Sequence, residues 1–377
     1  MHDDLVGVPD FLEWTDEPSE FGDFSYRPVD VKISTTPKAE HEAQLAFYAI
    51  LLGGVQGLVP EGGDLILVDM SRAGVELDGP VETVRQMVDE VRRVKAGGRE
   101  LPTLSTGCGM CPWHDHCLRT LYAIHDISLI DGLSTAKKPG LVESGYTDLS
   151  AIAGASPDAL CTVKGIGDKT ARRMVAQAAV LLEQRPRVIA VPELPETEIE
   201  LYVDMECQQQ TQVIYLIGVL ECRKGEPEEF HAFVAERPED EGKMWSRFLA
   251  YVRGLPRDPV IYHYHNFEAT HLRKLAERHG IDPNAEARLF GNLVDLHRVL
   301  KESVVLPVHS YGLKAVAKWL GFKWSETDAD AALSMLWFDM WLSTGERRYL
   351  ELSIEYNEDD CRATKVVKEW LTFAVGR

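Results

Sequence analysis

The stretch "YVDMEC" (residues 202–207) decides the fold of the C-terminal half, because it sets two carboxylates inside an apolar strand. Side chains alternate along a strand, so Asp204 and Glu206 share one face. Two neighbouring carboxylates in apolar surroundings repel each other and lose hydration, and a divalent cation would remove both penalties. A metal site is one interpretation of this pattern, and a polar strand end is the simpler one.

Two later motifs favour the metal site. "YHNFEATHL" (264–272) follows the fourth strand of the segment and supplies Glu268, and "YNEDDCRAT" (356–364) lies on a helix. Tyr356 and Asp360 are four residues apart and therefore share a helix face. Acids arriving in this order suit a centre where two Mg²⁺ or Mn²⁺ ions promote hydrolysis of a phosphodiester bond.

These motifs resemble the DEDD exonucleases of the ribonuclease H-like superfamily, and the resemblance covers residues 198–377. It implies a mixed sheet covered by helices, with Asp204, Glu206 and Asp360 as metal ligands. It also implies that Glu268 takes the third acidic place and that Tyr356 orients the attacking water.

Three features of this domain leave alternatives. The family usually has Asp where this chain has Glu268, so Asp295 is the reserve ligand, although a solvated helix-start residue is the simpler interpretation. "SYGLKAVAKWLGF" (310–322) also matches the family. Lys314 within it is either a phosphate contact or an exposed helix lysine.

The N-terminal segment contains a second candidate centre. "VPDFLEW" (8–14) and "PVDVKIS" (28–34) read as two strands, followed by a helix that contains "QLAFYA" (44–49). A lysine beside metal-bound carboxylates can position or deprotonate the water that attacks a phosphodiester. The combination resembles the PD-(D/E)xK nuclease core of the RecB type. The resemblance assigns catalytic roles to Asp10, Asp30, Lys32, Gln44 and Tyr48, with Asp10 and Asp30 as metal ligands.

The loop "CGMCPWHDHC" (108–117) places Cys108, Cys111 and Cys117 at a spacing typical of metal or cluster ligands. RecB-like nucleases hold a [4Fe–4S] cluster with three such cysteines and a fourth that precedes the core. No cysteine precedes Cys108, so the expectation is that the N-terminal part of this domain is missing. The alternatives are a zinc site completed by His114 or His116, and three free thiols.

The middle segment contains "VKGIGDKTARRMVAQA" (163–178), the pattern of a helix-hairpin-helix. Gly165 and Gly167 permit the tight turn, and backbone N–H groups at the following helix can hold a phosphate. The expected DNA-binding residues are Lys164, Gly165, Gly167, Lys169, Arg172 and Arg173. The alternative is a helical spacer that only packs.

Composition limits the remaining possibilities. The 377 residues are 45% hydrophobic and 27% charged, and no apolar run is long enough to span a membrane. The other four cysteines are scattered, which favours a reducing cytoplasm. The net charge of −20 argues against a surface covered by basic patches. It does not exclude a nuclease, because nuclease centres are acidic and bind nucleic acid through metal ions.

The sequence therefore predicts an α/β protein with a truncated PD-(D/E)xK restriction-endonuclease-like domain (1–127), a helix-hairpin-helix segment (128–186), a linker (187–197) and a ribonuclease H-like domain (198–377). This order resembles a family of bacterial RecB-like nucleases. The predicted activity is metal-dependent hydrolysis of DNA, at single strands or ends, in repair, recombination or defence. A nucleic-acid-binding scaffold with degenerate centres and an RNA-processing exonuclease are the alternatives.

Overall fold

The computed structural model describes residues 3–208, 211–326 and 331–375. The chain forms two compact units, Met1–Leu101 and Pro102–Arg377. Both contain strands and helices, and the predicted α/β fold class is confirmed.

The first unit is a mixed four-stranded sheet with two helices. Its elements are β1 (Phe11–Thr15), β2 (Ser25–Val31), α1 (Ala39–Gln56), β3 (Gly62–Ile66), β4 (Arg72–Glu76) and α2 (Asp78–Lys95). The strand order is β1-β2-β3-β4, with β2 and β3 parallel and the two outer pairs antiparallel. Parallel neighbours need a crossover, which α1 supplies while it buries Leu45 and Ala49 in a cluster with Leu65 of β3.

The second unit begins with a helical region. Its elements are a 3₁₀ turn (Thr106–Met110), α3 (His114–Ala123), a 3₁₀ turn (Ile127–Leu129), α4 (Lys138–Glu143), α5 (Leu149–Ala153), α6 (Pro157–Leu160) and α7 (Asp168–Glu183). Leu121 of α3 is fully buried in the core of this region, and Leu104 and Leu118 pack against the same core. The cysteine loop therefore packs with the helical region, and the two compact units divide after Leu101.

The rest of the second unit is built around a five-stranded sheet. The elements are β5 (Arg187–Val188), β6 (Ile199–Gln208), β7 (Val213–Arg223), β8 (Glu229–Val234), a 3₁₀ turn (Pro238–Asp240), α8 (Glu241–Gly254), β9 (Val260–His263), α9 (Phe267–His279), α10 (Pro283–Phe290), β10 (Leu293–Asp295), α11 (Leu296–Ser303), β11 (Val304–Val305), α12 (Leu313–Trp319), α13 (Ala331–Thr344) and α14 (Arg347–Val375).

This sheet has the order β10-β9-β6-β7-β8. Strands β6, β7 and β8 form an antiparallel meander, whereas β9 and β10 run parallel to β6. Alternation along β6 sends Tyr202 into the core on one face and Leu201 and Val203 into the core on the other. Because β6, β9 and β10 are parallel, their carboxyl ends meet at one edge of the sheet.

The predicted linker is partly structured. Its first residues form β5, which pairs antiparallel with β11. The backbone N–H groups of Ile189 and Ala190 both donate to the carbonyl of Ser303. Within the ranges that the structure describes, no helix combines the length and apolarity needed to cross a bilayer.

Candidate functional site

Three carboxylates converge where β6 meets α14. Asp204 and Glu206 come from one face of β6, and Asp360 comes from α14, which packs on that strand. One ligand oxygen from each residue lies within 4.8 Å of the other two. Glu206 and Asp360 are buried, and Asp204 is partly buried.

This arrangement makes negative charge costly. Burial raises the pKa of Asp204 well above its usual range, and the neighbouring charges of Asp360 and Glu206 raise it further. Burial and the charge of Asp360 raise the pKa of Glu206 to about 8. Burial also raises the pKa of Asp360 to about 6. A cation that replaced the lost hydration would let all three groups ionise at neutral pH.

Uncharged donors orient the carboxylates. Asn357 Nδ2 donates to Asp204 Oδ2 at 2.7 Å, and Trp324 Nε1 donates to Asp360 Oδ1 at 2.7 Å. Both donors are buried, so they fix the direction of the carboxylates without neutralising them. Motif spacing predicts the acids, but it gave no sign of either donor.

Gly218 makes the contact with Asn357 possible. It lies on β7 directly opposite Asp204. A Cβ atom at this glycine would stand 1.6 Å from Asn357 Oδ1, so any side chain here would displace the amide. The sequence alone could reveal this role only once the register between β6 and β7 is known.

Glu268, the predicted third acid, lies beside the cluster and not within it. It sits in the first turn of α9 and is buried, and its charge is one of those that raise the pKa of Asp204. Glu268 Oε2 makes no hydrogen bond, and His263 Nδ1 lies 3.6 Å away. Buried polar atoms normally have a partner, so this oxygen could serve as a ligand for a cation.

Asp295, the reserve candidate, has a structural role. It is the N-cap of α11, where its Oδ1 accepts hydrogen bonds from the backbone N–H groups of Arg298 (3.1 Å) and His265 (3.2 Å). The bond from Arg298 satisfies a helix-terminal donor, as an N-cap aspartate does, and the bond from His265 fixes the connection after β9. The helix-start interpretation therefore accounts for Asp295.

Tyr356 and Lys314 border the carboxylate cluster. Tyr356 is buried one helical turn before Asp360, and burial raises the pKa of its phenol, which therefore stays protonated at neutral pH. Lys314 Nζ lies 4.8 Å from the centre of the Tyr356 ring and 5.9 Å from the centre of the Trp324 ring. Lys314 is half-buried, not the fully exposed helix lysine of the simpler interpretation.

In the first unit, the five residues predicted from the hairpin and α1 are joined by contacts. Asp10 Oδ2 accepts a hydrogen bond from the backbone N–H of Val31 at 2.8 Å, which lowers the pKa of Asp10, and contact with Asp30 lowers it further. Lys32 forms an ion pair with Asp30. Lys32 Nζ also donates to Gln44 Oε1 at 2.6 Å, and Gln44 Nε2 donates to the Tyr48 hydroxyl at 2.7 Å.

The helix-hairpin-helix turn has the predicted backbone. Gly165 has a φ of +84°, a conformation that side chains disfavour, and Gly167 is the N-cap of α7. Lys164 and Lys169 are exposed on either side of the turn. The phosphate contact of these two lysines stays a prediction.

The two arginines of α7 have protein partners. Arg172 forms an ion pair with Asp168. The guanidinium of Arg173 lies 5.1 Å from the centre of the Tyr311 ring in the segment before α12. Arg173 therefore contacts the sheet domain through Tyr311, and the predicted contacts of Arg172 and Arg173 with DNA stay predictions.

The three cysteines of the loop do not converge. Cys108, Cys111 and Cys117 are free thiols, and Cys108 Sγ accepts a hydrogen bond from the backbone N–H of Ser105 at 3.3 Å. Among the described residues, Asp204, Glu206 and Asp360 form the one group of three or more such side chains within 4.8 Å. The zinc site completed by His114 or His116 stays a prediction. The [4Fe–4S] cluster stays a prediction from the resemblance.

Two family models match the chain. Residues 201–372 match a family described as the RNase H superfamily, and residues 126–179 match a SAM-like helix-hairpin-helix tandem. No curated protein and no solved structure matches. Neither family match extends into residues 1–101, so the RecB-like core stays a prediction. The matches confirm the predicted ribonuclease H-like domain and the helix-hairpin-helix region, and together they indicate a nuclease that processes nucleic acids.

Proposed function

We propose that the ribonuclease H-like domain is a metal-dependent exonuclease that degrades DNA from 3′ ends. The observation that carries the proposal is the carboxylate cluster of Asp204, Glu206 and Asp360, whose ligand oxygens lie within 4.8 Å of one another. Oxygen ligands at this separation suit Mg²⁺ or Mn²⁺. The raised pKa values and the unbonded Glu268 Oε2 fit the same ions, because both reflect buried negative charge that lacks compensation.

Bound divalent ions would supply a nucleophilic water and neutralise charge on the phosphate. The protein's own residues hold and orient the reactants. Asn357 and Trp324 fix the directions of Asp204 and Asp360. The protonated Tyr356 hydroxyl hydrogen-bonds to Asp360, and its oxygen can accept a hydrogen bond from the attacking water beside the ligands.

The helix-hairpin-helix region would bind the substrate strand by its backbone. Lys164 and Lys169 supply positive charge in a chain whose net charge is −20, and Gly167 opens the N-terminus of the 16-residue helix α7. Contacts with the nucleic-acid backbone do not distinguish one base sequence from another. Binding without sequence preference suits an exonuclease that must act on any end.

A second candidate function is favoured by the hydrogen-bond chain of the first unit. Lys32 is held between Asp30 and Gln44, and Tyr48 extends the chain. An ammonium group beside two carboxylates is the arrangement that would position water at a RecB-like nuclease centre. We propose this unit as a second nuclease centre that binds Mg²⁺ or Mn²⁺ at Asp10 and Asp30.

The proposed location is the cytoplasm. All seven cysteines are free thiols, the state in which a reducing compartment would keep them.

The test is digestion of DNA and RNA, labelled at the 5′ or the 3′ end, by the full-length protein with Mn²⁺ or EDTA. Asp360→Asn should slow the 3′-to-5′ ladder at least about a hundred-fold, equivalent to about 2.7 kcal/mol of transition-state stabilisation. Glu355→Gln is the matched control, because Glu355 is exposed on the same helix.

A ladder that is unchanged in Asp360→Asn, or that persists in EDTA, would contradict the exonuclease. Binding of nucleic acid with no cleavage by the wild type would favour the scaffold alternative. Cleavage of RNA alone would favour the RNA-processing alternative.

A further inference from the structure

Asp131 connects the helix-hairpin-helix region to the ribonuclease H-like domain. Its carboxylate accepts a hydrogen bond from Lys301 Nζ of α11 at 2.7 Å and another from the backbone N–H of Tyr311 at 3.3 Å. The fully buried Gln177 of α7 adds a second connection, because its Nε2 donates to the carbonyl of Val308 at 3.0 Å. The bond from Tyr311 to Asp131 and the bond from Gln177 to Val308 both involve the segment between β11 and α12.

Tyr311 is held on every side. It is 1% exposed, and its hydroxyl accepts from the backbone N–H of Leu306 at 2.8 Å. Its carbonyl accepts from the Tyr264 hydroxyl at 2.6 Å. The cations of Arg173 and Lys301 lie 5.1 and 5.2 Å from the ring centre. Arg173 belongs to the helical region, as does Asp131, which accepts the hydrogen bond from the backbone N–H of Tyr311.

The restrained segment leads directly to the carboxylate cluster. Lys314 follows Tyr311 by three residues, in the first turn of α12, whose start is set by the bond from the Val316 N–H to the Gly312 carbonyl. Lys314 Nζ lies over the rings of Tyr356 and Trp324, which flank Asp360. Burial raises the pKa of Asp360, and the charge of Lys314 opposes that rise, so the ammonium acts on the cluster itself.

We propose that Lys314 binds a non-bridging oxygen of the scissile phosphodiester and that Asp131 is the positioning residue that holds Lys314 there through Tyr311. An ammonium placed in advance at the phosphate stabilises the charge of the transition state without reorganisation. The helical region would then contribute to catalysis even on a substrate that is too short to bind the helix-hairpin-helix. This inference rests on the proposed exonuclease function.

The experiment measures Mn²⁺-dependent hydrolysis of thymidine 5′-(p-nitrophenyl phosphate) by the full-length protein, since a mononucleotide offers the hairpin no strand to hold. Lys314→Ala should lower kcat/KM about 10- to 100-fold, and Asp131→Ala about 5- to 30-fold. The double variant should be no slower than Lys314→Ala, because Asp131 acts through Lys314. Lys318→Ala is the matched control, an exposed lysine one turn further along α12 that should leave the rate unchanged.

Asp131→Asn separates positioning from general stability. The amide oxygen can still accept from the Tyr311 N–H, so this variant should stay within about threefold of wild type while Asp131→Ala does not. If Asp131→Ala does not fold, Arg173→Ala replaces it, and its smaller loss should likewise vanish in the Lys314→Ala background.

Additive losses in the double variant, or a wild-type rate for Lys314→Ala, would overturn the inference while leaving the exonuclease in place. A wild-type protein that hydrolyses neither this diester nor DNA would remove the proposed function and the inference with it.

Discussion

At the scale of single residues, the environment of Asp204 depends on a side chain that is missing from the neighbouring strand. Gly218 leaves the space through which the Asn357 amide reaches Asp204 Oδ2. The fully buried Asn357 Oδ1 makes no hydrogen bond of its own, so the amide is fixed by packing around this oxygen and by the bond from Nδ2 to Asp204. The candidate metal site therefore depends on a residue that has no side-chain functional group.

Gly218→Ala should impair both stability and activity. The added methyl would stand 1.6 Å from Asn357 Oδ1, and such overpacking costs about 1–3 kcal/mol. The measurement is the urea unfolding midpoint together with the exonuclease rate. Gly254→Ala is the control, because a Cβ there meets no atom within 4 Å.

The double variant Gly218→Ala/Asn357→Ala sharpens this test. Removing the amide relieves the clash, so the stability should recover in part, whereas activity should not, because Asp204 has lost its orienting donor. Full activity of the double variant would contradict the role of Asn357.

At the scale of elements, the contact between β6 and α14 places like charges together in the metal-free protein. The pKa of Glu206 is raised to about 8 from an ordinary value of 4.5, so the folded state binds this proton more tightly than the unfolded state does. Between these two pH values the folded state holds more protons, and stability therefore falls as the pH rises. Below the ordinary value both states are protonated, and the penalty is absent.

The melting temperature of EDTA-treated protein should report this penalty. Relative to Glu206→Gln, the wild type should lose on the order of 5 °C between about pH 5 and pH 8. Mn²⁺ should restore the loss at pH 8 and have little effect at pH 5, because protonated carboxyls bind cations poorly. Glu277→Gln, an exposed change on α9, should follow the wild type. Identical plots of melting temperature against pH for the wild type and Glu206→Gln would show that ionisation of Glu206 does not destabilise the metal-free protein.

The hairpin before α7 carries the next prediction. Lys164→Ala/Lys169→Ala should weaken DNA binding equally for all sequences and reduce the slope of log K against log salt by about 2 for duplex DNA. Fluorescence anisotropy at several salt concentrations measures both effects. Lys224→Ala/Lys243→Ala removes two exposed lysines elsewhere and is the control. An unchanged slope would show that the hairpin does not contact DNA and serves only as a helical spacer.

At the scale of the whole molecule, two candidate nuclease centres occupy two compact units. If both act, Asp360→Asn should leave a residual metal-dependent cleavage that Lys32→Ala then abolishes. Lys38→Ala, an exposed lysine nearby in sequence, is the control. End-labelled DNA separates the two activities, since each centre should give its own product pattern. Loss of all cleavage in Asp360→Asn alone would leave the first unit without a demonstrated activity.

The sequence predicted the parts of this molecule that depend on local spacing. The i, i+2 pair of Asp204 and Glu206 and the helical spacing of Tyr356 and Asp360 each follow from one element. Asn357, Trp324 and Gly218 were missed because their roles depend on contacts between distant elements. The packing of the cysteine loop with the helical region was missed for a similar reason, since the helical spacing of Leu118 and Leu121 does not say which core they enter.

The pairing of β5 with β11 has a practical consequence for work on fragments. A fragment that begins at residue 198, where the proline-rich stretch suggests a cut, would leave Val304 and Val305 with unpaired backbone groups and would remove Leu194 from the core that it covers. Exposed strand edges recruit strands from other molecules. Such a fragment should self-associate on expression, whereas one that begins at Pro102 keeps its own partner strand and should remain dispersed.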